Sequence, residues 1–164
     1  MYKILELRML CDENDLFVRD YQISDDNTLL DLHQFICKDM DYDTSEICSF
    51  YAADELWTPL QEFASEKMDP EQASMSEVKL SALLSSVGHK LIYMFDMLEE
   101  RGLFLQVVGI TEEESDAAYP RITASEGEAP DQFEPDFSGG GSIFDDAMED
   151  YGGYGGDDGY DQDE

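Results

Sequence analysis

Residues 91–110, LIYMFDMLEERGLFLQVVGI, constrain the fold of this chain more than any other stretch, because two apolar runs flank a short charged interruption. Residues 91–95 and 103–110 are rich in aromatic and β-branched side chains and are apolar at successive positions, the pattern of central strands covered on both faces. Met97-Leu98-Glu99-Glu100-Arg101-Gly102 is long enough to reverse the chain, and Gly102 is the residue best suited to a positive φ. The stretch therefore predicts a buried antiparallel hairpin. Such a hairpin needs packing partners, and the residues before it supply them.

Residues 2–10 alternate so that Leu5, Leu7 and Met9 share one face, and residues 16–23 mirror them across the polar turn Asp12-Glu13-Asn14-Asp15. Asn27 or Thr28 then offers a helix cap, with Asp31 three residues after Thr28 in a capping-box position. Leu29, Leu32, Ile36, Cys37 and Met40 recur at helical spacing, which predicts one helix ending near Met40 with a single apolar stripe. Residues 46–52 read as a strand and 53–76 as irregular, with Trp57 either packed on the core or marking a contact surface. Residues 77–87 read as a short strand and a helical turn stopped at Gly88. The pattern predicts an α+β domain in which the helix packs on a mixed or antiparallel sheet, a ubiquitin-like β-grasp being one such arrangement.

The rest of the chain changes character. Residues 1–137 are expected to form the domain, with 119–137 extended along its surface. Residues 138–164 hold eight of the twelve glycines and no basic residue, so this acidic Gly/Tyr-rich tail is expected to be disordered alone. Residues 111–164 carry a net charge of −17 out of −31 for the whole chain. That field repels phosphate backbones and anionic lipid, and favours a basic protein partner over direct nucleic-acid or membrane binding. Three cysteines without close pairing, no signal-peptide pattern and no transmembrane-length apolar run suggest reduced thiols and a cytoplasmic protein.

At three places the residues resemble the plasmid pRiA4b ORF-3-like proteins, sometimes labelled insertion-element passenger proteins. FVRDYQI followed by TLLDLHQFI is similar to the family's aromatic-x-Arg strand and LH helix, VKLSALL with LIYMFD to its following segments, and YPRITASEGEAPDQF to its Pro-rich stretch. The resemblance spans about residues 2–134 and implies an α+β fold without an established activity. Where many members carry Gly-Asp, Trp and His after the YD pair, this chain has Leu98-Glu99, Arg101 and Leu103.

Chemistry-bearing constellations are sparse. His33 and Cys37 share a helix face, a spacing that ligates zinc when two further ligands arrive, but Cys11, Cys48 and His89 form no CxxC or HxxxH unit, so no metal is expected. Asp39, Asp41 and Asp43 open like a calcium loop, yet its sixth and twelfth positions are Thr44 and Phe50. Asp96 and Arg101 flank the central turn as a functional or turn-stabilising pair. No nucleophile elbow or phosphate loop is present, so no catalytic residue or cofactor is assigned. The sequence favours a non-enzymatic interaction or adaptor module meeting a basic partner through its acidic tail, with Trp57, Phe144, Tyr151, Tyr154 and Tyr160 as candidate contacts. The alternatives are a mobile-element accessory factor or enzyme acting on nucleic acid, or an acidic nucleic-acid mimic.

Overall fold

The computed structural model describes residues 3–65 and 74–133 and forms an α+β arrangement of strands around one helix. The chain divides into Met1–Gln132, which holds every named element, and Phe133–Glu164. In order, the elements are β1 (Lys3–Cys11), β2 (Val18–Ser24), α1 (Leu29–Met40), β3 (Ser49–Ala53), β4 (Pro59–Ala64), β5 (Lys90–Asp96), β6 (Arg101–Glu112) and β7 (Arg121–Glu126). Short 3-10 turns at Met75–Glu77 and Leu80–Ala82 precede β5. The strands make one seven-stranded sheet in the order β4-β3-β5-β6-β1-β2-β7, and every strand pairing is antiparallel. Of the two sheet types left open by the sequence, the antiparallel one forms, and with seven strands it exceeds a β-grasp core.

The predicted helix starts where its cap says it should. The Thr28 side chain accepts from the Asp31 N–H and the Asp31 carboxylate accepts from the Thr28 N–H, so two orphan donors are satisfied reciprocally. Asp41 ends the helix in the left-handed region at φ 62°. Leu29, Leu32, Ile36, Cys37 and Met40 are buried together with His33, and they meet Leu5, Leu7, Tyr21, Leu91, Tyr93, Leu103 and Leu105 in one hydrophobic core. The Tyr21 hydroxyl donates to Asp39 at 2.6 Å, tying the last helical turn to β2.

Residues 91–110 do form an antiparallel pair, β5 with β6, in the interior of the sheet. The expectation of cover on both faces holds only in part: Leu103, Leu105 and Val107 point into the core, and on the opposite face Ile92 is buried, but Phe104 and Gln106 are half-buried and Val108 is 41% exposed. Apolar content marks a strand's place inside the sheet, but the described residues hold one α-helix and it covers one face. The turn is corrected. Glu100 takes the positive φ, 57°, and Gly102 sits in β6, where a Cβ would stand 3.2 Å from the Ile92 side chain and 3.3 Å from the Tyr93 carbonyl.

Other departures fall where the pattern was weak. The stretch read as irregular contains β4, an edge strand that admits Pro59 at its first position because no ladder donor is needed there. The short strand expected after residue 77 is replaced by the 3-10 turns. The segment expected to lie extended from residue 119 supplies β7, which pairs with β2. Residues 138–164, and with them the disorder expected there, lie outside the described residues.

Two outcomes follow. Leu32→Ala, at a fully buried position, should cost about 2–5 kcal/mol, whereas Gln34→Ala on the exposed side of α1 should be nearly silent in thermal melts. A chain ending at Ile110 should melt well below one ending at Phe137, because it loses β7; equal melting temperatures would show that β7 adds nothing to the sheet's stability.

Candidate functional site

α1 brings His33 and Cys37 onto its inner face four residues apart, and two strands complete the group with Cys48, next to β3, and Tyr93 of β5. All four side chains are buried. The Thr44 carbonyl lies 3.3 Å from His33 Nε2 and can only accept, so Nε2 carries the hydrogen and Nδ1 the lone pair. The Tyr93 hydroxyl, 2.8 Å away, donates to Nδ1, and its oxygen faces the Cys37 sulfur at 3.4 Å and the Cys48 sulfur at 3.7 Å. The two sulfurs also lie 3.7 and 3.5 Å from Nδ1. Sequence spacing pointed to His33 and Cys37; Cys48 and Tyr93 join them only through strand pairing.

The electrostatics make this a neutral cluster. Burial holds His33 below its ordinary range despite the Thr44 carbonyl, and pushes the Cys37 and Cys48 thiols up against the opposing effect of the Tyr93 hydrogen bond. Burial likewise raises Tyr93, reinforced by the two thiols. A thiol that stays protonated is a poor nucleophile, so the group is suited to locking α1 on the sheet. Among the described residues no set of three His, Cys, Asp or Glu side chains is arranged to hold a metal ion. Cys11 and His89 have other partners, the Glu13 and Ser85 backbone N–H groups.

The second predicted pair is also assembled. Arg101, with its side chain 8% exposed, reaches Asp96 at 3.2 Å and grips Glu13 with two hydrogen bonds of 2.8 and 3.0 Å. It donates further to the carbonyls of Asp131 at 2.7 Å and Gln132 at 3.4 Å, and its guanidinium stacks 4.9 Å from the Phe95 ring centroid. Tyr42 donates to the Pro130 carbonyl, and Gln132 bridges both backbone groups of Asp43. Residues 130–132 are thus strapped across three loops, with Arg101 at the knot. This is structural chemistry: the planar fork is saturated by carboxylates and carbonyls.

Trp57 takes a third place. The β3–β4 loop is closed by Asp54, which accepts from the Leu56 and Thr58 N–H groups at 2.8 and 2.9 Å. Trp57 adopts φ 66°, and its ring stands edge-on to Phe104 at 5.4 Å with Lys90 Nζ 5.4 Å from the indole. It therefore lies on the sheet face opposite α1. Phe144, Tyr151, Tyr154 and Tyr160 lie outside the described residues.

His33 sets a pH dependence. Its folded pKa is depressed below the ordinary ~6.5, so the unfolded chain binds the proton first as pH falls, and stability is lost below about that pH until the folded group also titrates. Relative to a His33→Gln variant, the wild-type protein should therefore lose melting temperature between pH 7.5 and 5; parallel profiles would remove His33 from the account.

No curated protein matches the chain at a significant level. Among solved structures, a protein of unknown function, MM3350 from Methanosarcina mazei Go1, superposes with a TM-score of 0.64 at 22% identity, covering 76% of this chain and 70% of that one. That likeness is one of fold. The family model for plasmid pRiA4b ORF-3-like proteins matches residues 4–155, so the chain belongs to that family.

Proposed function

We propose that the protein is a non-enzymatic interaction module that binds a basic protein partner. The observation that carries this is how the few cations are spent. Lys3 pairs with Glu112, Arg8 with Asp20, Arg19 with Asp39, Lys79 with Asp26, Arg101 with Glu13 and Asp96, and Arg121 with Glu114. Against forty acids the chain has nine Lys and Arg, so this pairing leaves a large carboxylate excess. An unbalanced anionic field steers cationic surfaces to the protein and is relieved when they bind. The stretch 138–164, with nine acids and no base, adds to that field and carries four of the candidate aromatic contacts, Phe144, Tyr151, Tyr154 and Tyr160. No helix of the described residues is long and apolar enough to cross a membrane, and the same field disfavours anionic lipid.

Capture from extract of the native host tests this, with the full chain and a chain ending at Phe137 as baits at near-physiological and high salt. A basic protein should be retained by the full chain, weakened by removal of residues 138–164 and released by salt. Retention of only acidic or salt-insensitive partners would refute the assignment. Duplex DNA should show no mobility shift at near-physiological salt, since counterion release opposes binding by a polyanion.

A further inference from the structure

The outward-facing residues of the sheet are not a random polar surface. Strand register sets Tyr51 opposite Ile92, Ile92 opposite Phe104, Phe104 opposite Leu10 and Leu10 opposite Val18, so five adjacent strands place apolar side chains in one row on the face away from α1. None of the five belongs to the core cluster beneath. Leu10 is 44% exposed, Tyr51, Phe104 and Val18 are half-buried, and Ile92 between them is buried, at 5% exposure. The same register puts Glu62 of β4 opposite Tyr51 and Glu126 of β7 opposite Val18, and both glutamates are exposed. The row thus runs the full width of the sheet with a carboxylate at each end.

Two further features belong to this face. Trp57 is held above the row against Phe104 by a loop whose backbone at that residue is left-handed, a conformation that costs a bulky side chain of order 1–3 kcal/mol. The neighbouring outward row, Lys90, Gln106, Arg8 and Asp20, is polar, and its cations are engaged: Arg8 with Asp20, and Lys90 with the Gly88 carbonyl and the Trp57 ring. That bounds the apolar band on one side; on the other the register continues with Ser49, half-buried Met94 and Gly102.

We propose that this band is the docking surface for a cationic amphipathic helix of the partner protein, an inference that rests on the basic-partner function proposed above. Six inter-strand spacings of ~4.8 Å separate the two glutamate strands by about 29 Å, which a helix of roughly twenty residues spans. A narrow apolar stripe is what such a helix presents, and Lys or Arg at its two ends would meet Glu62 and Glu126. A second copy of the same chain would bring a further −31 to the contact. Trp57, with Tyr51 and Phe104, supplies the aromatic anchors such interfaces favour.

Trp57 is the single tryptophan, so its fluorescence reads this face directly. The probe is a synthetic twenty-residue helical peptide with a leucine stripe and lysines at both ends, titrated at near-physiological salt into the full chain, the chain ending at Phe137 and full-length Leu10→Asp. The wild-type chain should bind with a shift in Trp57 emission, and a glutamate-for-lysine peptide should not. Leu10→Asp should weaken binding at least tenfold. Electrostatics alone would instead strengthen it, and the exposed position leaves folding intact, as an unchanged melting temperature would confirm. Equal binding by Leu10→Asp, or binding without an emission change, overturns the docking surface; if that binding also disappears in the chain ending at Phe137, the basic-partner function survives with residues 138–164 as its contact. A shift in Trp57 emission on truncation alone would make the chain's own segment the occupant and equally overturn the proposal. No binding at all removes the docking surface and leaves the host capture experiment to decide the wider function.

Discussion

One helix against seven strands is the constraint from which the rest of the structure follows. The stripe of α1 buries Leu29, Leu32, Ile36 and Met40 on one face of the sheet, and complete burial of such side chains contributes about 1.5–3 kcal/mol each. The inner face is therefore close to a conventional core. Among the described residues the outer face has no corresponding layer of helix, and beside the buried Ile92 its strands carry half-buried residues such as Tyr51, Phe104 and Val18.

The polar groups inside the core serve the same contact. His33 sits on the helix stripe among aliphatics, and a neutral imidazole there is tolerable only because the Thr44 carbonyl and the Tyr93 hydroxyl satisfy both nitrogens. At the other end of α1 the Tyr21–Asp39 bond is a second polar tie, and Arg19 Nε stands 3.4 Å from the same carboxylate as an ion pair without a hydrogen-bond partner of its own among the described residues. Arg101 does for the loops what these groups do for the helix, drawing Glu13, Asp96 and the backbone of residues 131 and 132 to one guanidinium. Cations are scarce in this chain, and the two buried ones, Arg19 and Arg101, tie its elements together, while the Lys3, Arg8 and Lys79 pairs lie at the surface.

Local signals were legible where one physical cause dominates. The reciprocal capping of Thr28 and Asp31 and the apolar stripe of α1 depend on residues within one or two turns, so their spacing displays them. The first hairpin and the central hairpin likewise combine alternation with a polar turn. β4 was not legible, because an edge strand that begins with proline and exposes Leu60, Gln61 and Glu62 carries too little alternation to separate it from loop. β7 was hidden for a similar reason: its Arg121, Thr123 and Ser125 become a strand only by hydrogen bonding to β2. The turn glycine misled because Gly102 answers to a close side-chain approach from β5, which is a tertiary demand, while Glu100 accepts the strained backbone.

The sequence by itself determined the α+β class, the capped helix, the two hairpins, the charge imbalance and the family, since each resides in composition or in short-range periodicity. Only the tertiary structure decided that Cys48 and Tyr93 join His33 and Cys37, that Asp96 shares Arg101 with Glu13 and the segment at residue 131, and that Tyr51, Ile92, Phe104, Leu10 and Val18 line up in one row. Those groupings are set by strand register and helix placement, which bring together residues as distant along the chain as Glu13 and Asp131, and no spacing within a segment encodes which partner a strand will choose.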